Sequence, residues 1–137
     1  MYDIKRETSI DFYDCYTYKS KNSQNQIISF EVWKDNWNSS KPKNVWKACF
    51  YITSKRKKGY QYLTETGKDG IKSLIWAKNC LIDFIEFCKN SRYSTYENVI
   101  IIQFDDVKRR NVYAYGLKPL GFKFGFYENR ESLILNL

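Results

Sequence analysis

The stretch from Tyr60 to Ile102 constrains this chain most. A short strand-like run, Tyr60-Gln61-Tyr62-Leu63, meets a glycine-bearing turn, Thr66-Gly67-Lys68-Asp69-Gly70. An amphipathic helix follows from Ile71 to Cys88, and then a buried-strand run, Val99-Ile100-Ile101-Ile102. The pattern is a β–glycine loop–α–β unit, whose two strands should pair in parallel through a right-handed crossover. Its loop would present free backbone N–H groups at a helix N-terminus, where the dipole favours an anion. Gly67, Lys68, Asp69, Gly70, Ile71, Lys72 and Ser73 are the residues placed to hold one. The same glycines would also be needed if they only turned a strand into a helix.

The chain has no histidine, which excludes Ser-His-Asp and Cys-His nucleophile systems, imidazole shuttles and histidine metal sites. Chemistry must then run on carboxylates, tyrosines, lysines, thiols or backbone dipoles. The four cysteines, Cys15, Cys49, Cys80 and Cys88, form no C-x-x-C pair. Cys80 and Cys88 lie two helical turns apart, too far to bridge. All four read as small apolar residues in a reducing compartment. Asp105-Asp106 reads better as a helix cap than as a metal pair, so no metal is expected.

A length of 137 residues suits a single domain spanning 1–137 with a core of its own. The net charge of +8 favours polyanionic or phosphate-bearing partners. Abundant Lys and Asn with scarce Ala suggest an AT-rich coding genome, such as a phage or a low-GC bacterium. The N-terminal run Met1-Tyr2-Asp3-Ile4-Lys5-Arg6-Glu7 is polar and no apolar run approaches bilayer length. The expectation is a cytoplasmic protein with no membrane partner.

Before the central unit, residues 9–19, 26–34, 45–54 and 60–65 read as strands in an antiparallel meander. Ile28, Phe30 and Val32 share one face of the second, and Trp46, Ala48, Phe50 and Ile52 one face of the third. The strand at 60–65 is the expected parallel partner of 99–104. On the helix, Ile71, Leu74, Ile75, Leu81, Ile82, Ile85 and Cys88 make one stripe, and Trp76, Cys80, Phe84 and Phe87 a second. Both stripes should be covered. A second helix spans 107–117, ended by Pro119 and Gly121, and a hairpin turning at Glu128-Asn129-Arg130 closes the chain. The order is β-β-β-β-α-β-α-β-β in one mixed α+β sheet.

That order, with a glycine loop opening the central helix, resembles the GNAT (Gcn5-related N-acetyltransferase) superfamily over roughly residues 10–137. The family's loop is Gln/Arg-x-x-Gly-x-Gly/Ala. Gly70 matches its first glycine, while Gly67 stands at the Gln/Arg and Lys72 at the Gly/Ala position. Asn111-Val112-Tyr113-Ala114 and Gly121-Phe122 match its late pattern with a spacing one residue short. The two helices that usually follow the family's first strand have no room in Ser20 to Asn25. The resemblance implies acetyl-CoA bound where the parallel strands part, its pyrophosphate on residues 67–73, with Lys68 and Lys72 adding charge. It also implies an amine acceptor, a carboxylate base for which Glu65 is the candidate, and a tyrosine acid, Tyr115 or else Tyr113.

A second class of function fits the same residues. Basic turns at Lys55-Arg56-Lys57-Lys58 and Lys108-Arg109-Arg110, with aromatics at 18% of the chain, suit a non-catalytic module that holds nucleic acid or a host protein. Such a module could be a phage-encoded modulator of host machinery.

Overall fold

Alternating burial builds the strands. The computed structural model describes residues 6–8, 14–22, 25–35, 43–53, 60–61, 70–91, 93, 96–104 and 107–137. Its strands are β1 (Arg6–Thr8), β2 (Cys15–Lys21), β3 (Ile27–Lys34), β4 (Lys43–Thr53), β5 (Tyr60–Gln61), β6 (Glu97–Gln103), β7 (Lys123–Tyr127) and β8 (Arg130–Asn136). The helices are α1 (Gly70–Asn90), between β5 and β6, and α2 (Val107–Leu117), between β6 and β7. The hydrogen-bonded strand order is β1-β2-β3-β4-β6-β8-β7, with β5 paired to β4 off this path. The sheet is mixed: β4 and β6 run parallel, while β6–β8 and β7–β8 run antiparallel.

The parallel crossover corrects the sequence expectation. The parallel partner of β6 is β4, in a ladder from Lys43–Glu97 to Ala48–Ile102. The strand expected at 60–65 is described only as Tyr60–Gln61, antiparallel to Ile52 and Thr53. Residues 62–65 lie outside the described residues. Hydrophobic period identifies a strand but not its partner, and the longer, alternating β4 supplies the ladder. The front of the chain differs too. β2 begins at Cys15 and runs on through Lys21, and β1 is an additional short strand paired with it.

The chain divides into two compact units, Met1–Val32 with Cys49–Ile85, and Trp33–Ala48 with Glu86–Leu137. In the first, Tyr16, Tyr18, Ile28, Phe30, Val32 and Phe50 alternate inward and are buried, as are Trp76, Cys80, Leu81 and Phe84 of α1. Ring contacts join the strands to the helix: Tyr16–Phe84 at 5.9 Å and Phe50–Trp76 at 6.0 Å. Each large side chain taken out of water contributes about 1.5–3 kcal/mol. Asp83 Oδ2 accepts hydrogen bonds from the Tyr18 hydroxyl at 2.6 Å and from Arg6 Nη1 at 2.7 Å. Both stripes of α1 have buried members, Trp76, Cys80 and Phe84 in one and Leu81 and Ile85 in the other, while Ile75 at 55% and Ile82 at 39% of the latter stay exposed.

In the second unit β6 is buried on both faces from Val99 to Ile102, as a strand paired on both sides requires. Asn98 anchors its start. Its Oδ1 accepts from Trp46 Nε1 at 3.0 Å and Asn44 Nδ2 at 3.2 Å, and its Nδ2 donates to the Tyr93 and Tyr96 carbonyls. A buried amide satisfied this fully specifies strand register as well as stability. Ala114 and Leu117 bury one side of α2. A 3-10 turn, Lys118–Leu120, ends in Gly121 at φ +104, where the left-handed backbone favours glycine. Glu128 and Asn129, at φ 54 and 60, form the two-residue turn between β7 and β8, whose primed twist matches the paired strands. Among the described residues no helix is long and apolar enough to cross a membrane.

Candidate functional site

The first turn of α1 gathers four of the residues expected to meet an anion. Gly70 opens the helix, and Ile71, Lys72 and Ser73 follow in the same turn. That turn carries no acidic side chain to compete for its N–H groups. The first N–H groups of a helix have no intrahelical partner and sit at the positive end of its dipole. Lys72 is exposed, and Ser73 is fully buried. The Ser73 hydroxyl finds no hydrogen-bond partner among the described residues. A buried orphan hydroxyl costs about 1–3 kcal/mol, a cost that a ligand accepting its proton would remove. One turn on, Trp76 packs on Phe50 and fixes the helix against β4. Glu65, Gly67, Lys68 and Asp69 lie outside the described residues, as do Asp105 and Asp106.

On the outward face of the strands in the same unit lies a cluster that sequence reading did not single out. Cys15, Glu31, Cys49 and Tyr51 alternate with the inward-facing Tyr16, Phe30 and Phe50. The Tyr51 hydroxyl donates to Glu31 Oε1 at 2.9 Å. Burial pushes the Cys49 thiol up to about 12, and the charges of Glu31 and Cys15 add to the effect. Burial, then Glu31, raises Cys15 in the same direction. Both thiols are therefore neutral at ordinary pH. Only the i, i+2 spacing of Cys49 and Tyr51 hinted at this cluster, because its other members come from separate strands.

The second unit holds Tyr113, half-buried, and Tyr115, 89% exposed, on α2. It also holds a charged network. Lys47 Nζ lies 3.3 Å from Glu128 and 4.0 Å from Asp35, and the Tyr127 hydroxyl donates to Asp35 Oδ2 at 2.6 Å. Burial, then that hydrogen bond, holds the Tyr127 phenol well above its usual range. Arg110 pairs with Glu131 at 2.6 Å and lies 4.1 Å over the Phe124 ring. With all its cations matched to carboxylates or a ring, this network reads as structural.

Among the described residues no group of His, Cys, Asp and Glu could hold a metal ion. No family model matches the chain, and no curated protein does. Solved structures do. The N-terminal domain of a ribosomal-protein-alanine acetyltransferase from Clostridium acetobutylicum superposes with a TM-score of 0.52 at 16% identity, over 96% of this chain and 88% of that one. A domain from Methanocaldococcus jannaschii gives 0.47 at 13% identity, over 93% and 70%. A Bordetella pertussis chain described as GNaT-family acetyltransferase gives 0.46 at 13%, over 92% and 67%. The first of these, with the mixed strand order and two helices, shows that this chain has a GNAT-like α+β fold.

Proposed function

We propose that this chain is an acyl-CoA-dependent N-acetyltransferase-like protein, with acetyl-CoA as the donor and an amine as the acceptor. The observation that carries the reading is the first turn of α1, where an acid-free helix start and the orphan hydroxyl of Ser73 coincide. Residues 67–73 would hold the pyrophosphate, with Gly67 and Gly70 letting the backbone approach and Lys68 and Lys72 adding charge. Glu65 would take the proton that the amine nitrogen loses as it attacks the thioester carbon. The new C–N bond replaces the C–S bond, and Tyr115, or Tyr113, would protonate the departing thiolate. No metal is required for this chemistry. Titration calorimetry of CoA into the protein and into Gly70→Glu tests the reading. Saturable binding to the parent and none to a folded Gly70→Glu is expected; equal binding to both would refute the assignment to this helix start.

A second reading, a non-catalytic binding module on the same fold, is favoured by the exposed aromatics Tyr115 and Phe126 and the exposed cations Lys108, Lys118 and Lys123 of the second unit. Its other basic run, Lys55-Arg56-Lys57-Lys58, lies outside the described residues. This reading expects affinity for a single-stranded oligonucleotide that falls steeply with salt. A nucleic acid or host protein partner would then replace the acyl donor.

A further inference from the structure

The strand order ends in two edges of different character. At one end β1 is three residues long and carries the exposed charges Arg6 and Glu7. Shortness and charge are common ways of blunting an edge, as are proline and bulges. β7 lies at the other end. Its run Lys123-Phe124-Gly125-Phe126-Tyr127 pairs with β8 residue for residue, with no proline or bulge, and Lys123 is its one charge. Phe126 on this strand is 75% exposed.

The hairpin fixes which backbone groups face outward. A two-residue turn is closed by a hydrogen-bonded pair, here Tyr127 with Arg130. Antiparallel pairs then alternate, so Gly125 and Lys123 are the next residues bonded to β8. The N–H and C=O groups of Phe124 and Phe126 point away from β8, and among the described residues no strand or turn meets them. Such a row of open backbone groups is a template for another strand.

Two-fold symmetry makes β7 its own complement. An antiparallel pair centred on Gly125 sets Phe124 opposite the partner's Phe126, so the outward groups of each meet those of the other. The same register brings the two rings together on one face at cross-strand distance. It also puts Lys123 opposite the partner's Tyr127. Around Tyr127 in each copy lie one cation, Lys47, and two carboxylates, Asp35 and Glu128, so the surplus charge there is negative and attracts a lysine. No like charges stand opposite each other along the strand.

We propose that β7 pairs with β7 of a second copy of this chain, antiparallel about Gly125, extending the sheet across a two-fold dimer. The proposal is independent of both functional readings.

Amide hydrogen exchange by NMR on the full chain, with sedimentation velocity over the same concentrations, tests it at moderate salt, where repulsion between two copies of charge +8 is screened. A concentration-dependent dimer is expected, with the Phe124 and Phe126 amides exchanging more slowly as it forms. Phe126→Lys sets a cation opposite the partner's Phe124. That ring in each copy already faces Arg110 and Lys118, so the change should weaken dimerisation about tenfold or more. Phe126→Pro removes an outward donor, leaves the β8 ladder intact, and serves if the lysine variant does not fold. A chain that stays monomeric at every concentration, a dimer whose Phe124 and Phe126 amides exchange at the monomer's rate, or one that a folded variant leaves unchanged would overturn the proposal. So would protection that appears only when a single-stranded oligonucleotide is added, which would assign the edge to that partner instead.

Discussion

Gly116 and Gly121 sit close together in the sequence and answer to different needs. Gly116 lies inside α2, and a Cβ there would meet nothing within 4 Å. Gly116→Ala should therefore stabilise the fold by about 0.5–1 kcal/mol, from helix propensity alone. Gly121 has φ +104, and its added Cβ would come within 3.1 Å of Leu135 Cδ1. Gly121→Ala should destabilise by about 1 kcal/mol or more. Urea denaturation of the two variants checks both signs. Cys49 gives a pH prediction. Its thiol is raised from 9.0 to about 12 in the fold, so the folded state holds the proton more tightly than the unfolded one. That stabilisation is complete below about pH 9 and is lost as pH rises through about 12. Tyr18 and Tyr127 shift in the same direction, so they add to the loss on the alkaline side. Thermal midpoints measured from pH 8 to 12 should fall, and Cys49→Val should make the fall shallower.

At the scale of elements, much of the fold was legible because burial follows period. The inward triplet Ile28, Phe30 and Val32 on β3 and the continuous run Val99–Ile102 on β6 are buried as their spacing requires. The bounds of α2 and the turn at Glu128 and Asn129 were equally readable. Pairing was not, because a period of two marks a strand without naming its neighbour. Hence the crossover was placed on 60–65, whereas β4 makes the parallel ladder. Nor does the sequence show which members of the α1 stripes stay exposed. Apolar residues ring that helix, and only packing decides that Trp76, Cys80, Leu81 and Phe84 are buried while Ile75 is not. Phe84→Ala should thus cost about 3–5 kcal/mol, and Ile75→Lys should stay within about 0.5 kcal/mol of the parent. Chemical denaturation distinguishes them; a large cost at Ile75 would mean that its side of the helix is covered after all. For the candidate site, the glycines and the helix start could be read from sequence. The orphan Ser73 hydroxyl and the Glu31–Tyr51 pair could not, since both depend on which groups lack or find partners across the fold.

For the whole molecule, the topology and the helix start point the same way. The strand order, the parallel β4–β6 ladder and the following helices are those of a GNAT-like fold. A net charge of +8 suits a phosphate-rich coenzyme as well as a nucleic acid, so charge alone does not choose between the two readings. Salt dependence does. Binding through fixed backbone N–H groups and a buried hydroxyl is short-ranged and survives moderate salt, whereas binding by exposed lysines is screened. The most direct test is thermal unfolding with and without millimolar CoA, at low and moderate salt, with inorganic polyphosphate as a control. At about 100 times its dissociation constant a ligand adds about 2.7 kcal/mol to stability. A rise in the midpoint with CoA that persists at moderate salt, and exceeds that given by polyphosphate, is the predicted result. No rise, or one that polyphosphate matches and salt abolishes, would contradict coenzyme binding at the start of α1.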